Sequence, residues 1–473
     1  MSVSINCTVV IMKIASIASH CFIVLIILAA APMLAAHAAN PDLVVTKFTD
    51  SFDGSCNSDC SLREAVQRAN ETPGPNLIIL RAGTYLLTLA PELDDRGLVV
   101  DDGDNAHGDL NIRGYTTLVG KGIDVTTINA NHIDRGVKVH AGAAVSIADL
   151  TIRNGRHTDH GGGIDIESGA TVFVRSCGIS NNVAGAAFDA AGFAGGIANF
   201  GSLALEASRV DGNHSAHGDG ASSFSLGGGV YNVGNMTVRE TRFIGNHASD
   251  RDNGGFGGAI YNGGAALILR SSFQTNRVDI QGTGAAVLNG EGAMLRMENT
   301  TVTTSAYEDF LPIGAVENGS SADSRPAVMR LINVTIAENL THGIVNYGKL
   351  DILNTIVAGN GPTTDVHVEK NCLNVGPGAA FSQKGFLQGA DVFTNCEADR
   401  VVPTEDVFTK VLYPLGLNNW VTPTFALRQR SPAVDAAVGG CPSTDQRRST
   451  RPRDGDGDGI AICDLGAYER PKP

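Results

Sequence analysis

From about residue 160 to residue 360 the chain repeats one pattern: a small residue, usually Gly, an aliphatic residue, and Asn two places later. It occurs at Gly163-Ile164, Gly196-Ile197-Ala198-Asn199, Gly229-Val230-Tyr231-Asn232, Ala259-Ile260-Tyr261-Asn262, Ala286-Val287-Leu288-Asn289, Ala315-Val316-Glu317-Asn318 and Gly343-Ile344-Val345-Asn346. The aliphatic markers step by 33, 33, 30, 27, 29 and 28 residues. After each marker comes a short alternating stretch: Val172/Val174, Leu203/Leu205, Met236/Val238, Leu267/Leu269, Leu295/Met297, Met329/Leu331 and Leu350/Ile352. A period of two puts each pair on one face of a strand. A second Asn closes most units three residues after an apolar one, as in Ile179/Asn182, Val210/Asn213, Phe243/Asn246, Phe273/Asn276, Ile336/Asn339 and Val357/Asn360, with Ser305 once in its place. Asn tolerates left-handed backbone and can hydrogen-bond an identical neighbour, so matching Asn turns predict stacked ladders.

Units of about 30 residues with short strands and Gly/Asn turns are too short for domains and too rich in strand for helical repeats. They predict an all-β fold, a right-handed parallel β-helix, with about 4.8 Å between coils and roughly 35 Å for seven coils. A leucine-rich repeat needs a Leu/Asn consensus this chain lacks, and propeller blades carry Trp-Asp or aromatic signatures absent here. Less regular strands at Leu77–Leu80, Gly83–Leu87, Thr117–Gly120 and Val145–Ile152 extend the solenoid back to about residue 76. Open strand ends need covers. Ser61 to Asn70 offers one, with Ser61 and Glu64 as a capping box and Leu62, Ala65, Val66 and Ala69 on one apolar face.

Composition fits this reading. With 57 glycines, 5% aromatics and one Trp in 473 residues, thin aliphatic columns must replace a bulky core. The 49 acidic residues against 35 Lys and Arg oppose nucleic-acid or anionic-membrane binding. Residues 1–38 hold Lys13, no acids, and an apolar run ending at Ala36-His37-Ala38, the form of a secretory signal peptide, with Met12 as an alternative start. No later stretch is apolar enough to span a bilayer, so no transmembrane segment is expected in the mature chain. Export permits disulfides. Proximity pairs Cys56 with Cys60, Cys372 with Cys396 and Cys441 with Cys463, leaving Cys177 as a small core residue.

Cys60-Ser-Leu-Arg-Glu-Ala65 resembles the signature of the bacterial CSLREA domain. Gly257 to Ile260 with Phe273 to Asn276 resembles polymorphic outer-membrane protein repeats. Ser431 to Asp435, Cys441 with Asp445-Gln446, and Cys463-Asp464-Leu-Gly466-Ala-Tyr468-Glu469 resemble the choice-of-anchor Q domain. The resemblance covers most of the mature chain and implies a secreted or surface protein of the pectin-lyase-like right-handed β-helix class. That fold hosts enzymes, adhesins and scaffolds alike. Relatives often continue into an anchoring tail, whereas Pro473 follows Glu469 by four residues, which weakens the expectation of surface anchoring.

Three constellations carry candidate chemistry. Asp454-Gly-Asp456-Gly-Asp458-Gly459, followed by Cys463-Asp464, resembles thrombospondin type 3 calcium loops, and its alternate carboxylates suit a structural Ca²⁺ held by Asp454, Asp456, Asp458 and Asp464. The alternative is a solvated acidic turn balanced by Arg447, Arg448, Arg451 and Arg453. The loops between the closing Asn and the next Gly hold His157, Asp159 and His160, then His214, His217 and Asp219, then His247, Asp250 and Asp252. His214 and His247 occupy equivalent places and would stack, as candidate acid–base or metal groups. A lyase would need a cationic groove, and only scattered Arg175, Arg209, Arg239, Arg270 and Arg296 are offered; a hydrolase would need a carboxylate pair such as Asp165 and Glu167. Sugar subsites use flat rings, and Tyr231, Tyr261, Tyr307 and Tyr347 give few, the first two being placed to stack on each other.

The expectation is therefore an exported protein of four segments: a signal peptide over 1–38, an N-terminal cap over 39–75, a β-helix over 76–365 and a C-terminal cap segment over 366–473. Its leading function is a non-catalytic scaffold or adhesin-like binder of an extracellular or cell-surface polysaccharide or protein. A polysaccharide lyase or glycoside hydrolase is the alternative.

Overall fold

The computed structural model describes residues 40–473 except 96, 101–102, 186–190, 217–223, 250–253, 280–281, 308–312, 362–369, 377–378 and 391–393. The signal-peptide expectation therefore lies outside the described residues. So do His217, Asp219, Asp250 and Asp252.

Three long parallel ladders run the length of a right-handed β-helix. Ladder one has 12 strands, from Leu43–Val44 to Ala380–Lys384; ladder two has 12, from Gly83–Leu86 to Arg400–Val402; ladder three has 10, from Leu110–Ile112 to Cys372–Asn374. The markers Ile164, Ile197, Val230, Ile260, Val287, Val316 and Ile344 pair one above another in ladder three. A fourth, short ladder of six two-residue strands, Arg156–His157 to Ala306–Tyr307, follows the closing position of each coil, which is Asn in four of them, Gly155 in the first and Ser305 in the last. Among the described residues no helix is long and apolar enough to cross a membrane.

Inside, aliphatic side chains stack in columns, with Phe243 on Phe273 at 4.6 Å and 4°. One alternating pair is displaced from its expectation. In Ala265–Leu269 the inward residues are Ala266 and Ile268, which pair with Met236 and Val238, and Leu267 faces outward. Five consecutive apolar residues carry no alternation, so the four-residue distance from Asn262 sets the phase, as it does from Asn232 to Met236.

Polar columns hold the turns. The amides of Asn199, Asn232, Asn262, Asn289, Asn318, Asn346 and Asn374 form a continuous buried chain, each Nδ2 donating to the next Oδ1 at 2.6–2.8 Å. A second chain links Asn182, Asn213, Asn246 and Asn276 at 2.9–3.0 Å. The sequence pattern did not reveal a third, at the turn between ladders one and two. There Cys177, Ser208, Thr241 and Ser271 donate their backbone N–H to the hydroxyls of Ser208, Thr241, Ser271 and Thr300. Cys177 thus occupies a hydroxyl position, unbridged and buried, its thiol pushed up to about 12 by burial. Left-handed residues line the same turns, among them Glu240, Arg270, Asn299 and Asn333.

The first coils are covered by the helix Leu62–Glu71, whose Leu62, Ala65, Val66 and Ala69 are buried. Ser61 and Glu64 form the capping box, and Cys56–Cys60 is a disulfide just before it. Arg63 is fully buried. Its Nε meets Asp50 Oδ1 at 2.5 Å, and its terminal nitrogens donate to the carbonyls of Asn105, Gly108 and Asp109. At the other end Cys372–Cys396 ties residues 394–396 across the last coil.

Beyond Val402 the chain turns back along the outer face of ladder two. Val407, Val411, Leu412, Phe425, Ala433 and Leu465 pack on Ala337, Ile356, Ala358 and Leu387. Hydrogen bonds continue that contact down the solenoid: Gly466 donates to Asn354, Ala467 to Thr335, Thr422 to Arg270 and Arg448 to Glu240, while Thr301 donates to Gln446. Asp445, Asp464 and Glu469 are buried inside this segment, where backbone N–H groups and Arg447 or Arg451 satisfy them. Gly466 has φ +80°, and a Cβ there would lie 2.6 Å from Thr335 Oγ1 and 2.8 Å from Ile356 Cδ1. Cys441–Cys463 braces the same segment.

Candidate functional sites

The short fourth ladder places His214 directly on His247, with ring centroids 4.7 Å apart and planes 4° from parallel. Close backbone approach makes this possible, since a Cβ on Gly228 would sit 2.4 Å from the His247 carbonyl oxygen. His247 Nε2 lies 2.7 Å from Asp279 Oδ1, and its Nδ1 lies 3.2 Å from Arg277 Nη2. Arginine only donates, so Nδ1 accepts from Arg277 and Nε2 donates to Asp279, and both nitrogens are engaged. Burial, with the neighbouring His247, pushes His214 down to about 4, and its Nε2 meets Ser249 Oγ. Burial is the largest influence on Asp279 and opposes its ionisation, but the hydrogen bond from His247 together with the surrounding His247, Arg277 and His214 holds the carboxyl below its ordinary value. The row is thus stacked as expected, but both His247 nitrogens are occupied by protein partners rather than open to a metal.

Nearer the N-terminal end, ladder three carries a buried ionic cluster. Arg135 lies 3.3 Å from Asp109, 3.8 Å from Asp159 and 4.0 Å from Asp165, and its Nη2 meets His157 Nε2 at 2.5 Å. His157 Nδ1 contacts Asp159 Oδ1, and Asp134 lies 3.9 Å from Nε2. His160 sits between Asp165 at 3.2 Å and Asp159 at 3.4 Å. Burial disfavours its charge, yet the nearby carboxylates of Asp165 and Asp159 raise its pKa. Of the hydrolase pair, Glu167 is held by Lys138 at 3.2 Å and His140 at 3.4 Å, whereas buried Asp165 has only the charges of His160 at 3.2 Å and Arg135 at 4.0 Å, and neither of its oxygens is in a well-formed hydrogen bond. Sequence reading named His157, Asp159, His160, Asp165 and Glu167 but missed Asp109, Asp134, Arg135 and Lys138. These lie in coils without the Gly/Asn marker; the available signal was their place beside or within the ladder-three strands Leu110–Ile112 and Val137–Val139.

A chain of rings continues from this cluster. His160 lies 5.3 Å from Phe200, Phe200 lies 5.8 Å from Tyr231, and Phe193, Tyr231 and Tyr261 stack at 5.2 and 5.5 Å. Stacking along the solenoid axis turns ring faces toward one another, so sugar platforms are not what this row supplies. Further along the same face Glu317 is fully buried. Its Oε2 accepts from the N–H of Gly284 at 3.1 Å and Gly314 at 3.3 Å, and burial pushes the carboxyl up to about 8.

In the acidic loop the structure brings Asp454 and Asp456 together with Asp435, one oxygen from each lying within 4.8 Å of the others. Asp435 was missed as a ligand because it is 19 residues before Asp454 and enters through a left-handed turn at φ 48°. Its Oδ2 accepts from the N–H of Gly455 and Asp456, while its buried Oδ1 has no hydrogen-bond partner, an oxygen suited to a cation. Asp458 and Asp464 stand apart. Asp458 accepts from Ile460 N–H, and Asp464 accepts from the N–H of Asp435 and Arg470. The nearby arginines do not balance the loop, since Arg447, Arg448 and Arg451 reach Asp445, Glu240 and Glu469; Lys472 does, 3.0 Å from Asp454.

Ladders, turns and caps together define the class: a right-handed parallel β-helix. No family model matches the chain, and no curated protein matches it. Among solved structures it is similar to the pectate lyase Pel9A, with a TM-score of 0.45 and 13% identity over 91% of this chain and 96% of that one. It is also similar to the A-module of the Azotobacter vinelandii mannuronan C-5 epimerase AlgE4, with a TM-score of 0.30 and 13% identity over 77% of this chain and 96% of that one. At these scores neither likeness bears on activity, and the assignment of the fold rests on the ladders themselves.

Proposed function

We propose that the chain is an exported β-helix scaffold or adhesin-like protein that binds an extracellular or cell-surface glycan or protein without catalysis. The carrying observation is that the stacked histidine row is closed to a ligand: both ring nitrogens of His247 are taken up, by Asp279 and Arg277. The signal-like residues 1–38 support export. The buried roles of Arg63 and Glu64 in the N-terminal cover, and of Asp445, Asp464, Gly466 and Glu469 in the C-terminal segment, support kinship with CSLREA and choice-of-anchor Q proteins. The three-carboxylate cluster at Asp435, Asp454 and Asp456 supports a structural Ca²⁺.

A second reading, a polysaccharide lyase or glycoside hydrolase, is favoured by one observation: Arg135, Lys138 and His160 gather beside Asp109, Asp159 and Asp165 on one face. The two readings separate in one experiment. Pure mature protein is incubated with neutral and acidic polysaccharides, and binding, new reducing ends and unsaturated products are followed. Retention of a glycan without cleavage is expected. Cleavage that disappears in His160→Ala or Asp159→Asn would replace the scaffold reading with the enzymatic one.

A further inference from the structure

A groove of about 420 Å³ opens where the last strand of ladder two meets the start of the C-terminal segment, away from the histidine row, the ionic cluster and the acidic loop. Three cations line it, Arg400, Lys410 and Arg430, in a chain whose formal charge is −14. Lys410 pairs with Asp406 at 2.8 Å, while among the described residues Arg400 and Arg430 have no side-chain partner. The wall between them is apolar, formed by Val401, Pro403 and Pro432.

The wall is also a strand edge. Arg400–Val402 is the last strand of ladder two; Arg400 N–H donates inward to Phe386, and the Val402 carbonyl accepts from Ala390 N–H. In a parallel pair this register turns the intervening peptide groups of Val401 away from the sheet. The Val401 side chain is 63% exposed.

We propose that this groove receives an extended acidic peptide segment of a partner protein. Its backbone would pair with Val401, and its carboxylates would meet Arg400 and Arg430. An open edge supplies main-chain bonds, and guanidinium groups supply planar carboxylate recognition. Valine and proline walls without rings favour a peptide over a saccharide.

Fluorescence anisotropy of a labelled glutamate decamer against the full chain tests this, with a glutamine decamer and an oligogalacturonate of equal charge as comparators. The glutamate decamer should bind more tightly than either, with an affinity that falls as salt rises. Arg400→Gln with Arg430→Gln should weaken it at least about tenfold. Both side chains are exposed, so a melting temperature equal to wild type should accompany the loss. Val401→Pro, which removes only an outward N–H, should weaken binding several-fold. No binding of the glutamate decamer, or binding indifferent to the arginine variants, overturns the proposal. Equal or tighter binding of the oligogalacturonate overturns the assignment to a peptide.

Discussion

Single residues in this chain matter through their columns. Asn246 accepts from the N–H and Nδ2 of Asn213, donates to Asn276, and donates to the Val210 carbonyl at 2.9 Å. Asn246→Ala should therefore cost about 1–3 kcal/mol, because buried donors above and below lose partners together; the denaturant midpoint measures this. Glu317 makes a prediction in pH. The unfolded carboxyl ionises near 4.5, and the folded one keeps its proton to about 8. Folded pKa above unfolded pKa means that its contribution is fully present below pH 4.5 and is lost as pH rises toward 8. Glu317→Gln keeps an oxygen for Gly284 and Gly314 but cannot ionise. Its melting temperature should match wild type below pH 4.5 and exceed it increasingly toward pH 8; a constant offset across that window would refute the assignment.

The elements show how far local pattern alone can be read into this fold. Period-two alternation made the coil register of ladder one legible and the Gly/Asn marker that of ladder three, where each turn needs close backbone approach and a buried amide. The alternation failed at Ala265–Leu269, where every residue is apolar and only the distance from Asn262 sets the phase. The Cys177/Ser208/Thr241 column was illegible because Ser and Thr are common and their side chains act through neighbouring backbone. The ionic cluster around Arg135 and the entry of Asp435 among Asp454 and Asp456 depend on contacts that no local period encodes. The helix Leu62–Glu71 was legible as a cover through its capping box, but the burial of Arg63 was not, since its partners are the carbonyls of residues 105–109. Arg63→Ala should cost about 3–5 kcal/mol by leaving Asp50 buried without its partner. Chemical denaturation followed by circular dichroism checks it, and a cost below 1 kcal/mol, less than about a fivefold change in the folding constant, would show that the pair contributes little.

At the scale of the whole molecule, a calcium titration tests whether the acidic loop stiffens the C-terminal segment. Millimolar Ca²⁺ should raise the melting temperature of wild type and leave Asp435→Asn unmoved, because Asp435 joins the loop from a separate turn. No shift in wild type would remove calcium from the account.

The return path of the C-terminal segment has a mechanical meaning. A solenoid whose coils touch only their neighbours frays from its ends like a loosened spring. Here one strap touches the wall at Glu240, Arg270, Thr301, Thr335, Asn354 and Leu387. Those coils cannot leave one by one while the strap is fastened. In native-state hydrogen exchange the amides from Glu240 to Leu387 should open as a single block, while coils before residue 210 open in steps. Gly466→Ala, whose methyl group has no room against Thr335 and Ile356, should unfasten the strap and return the block to stepwise opening.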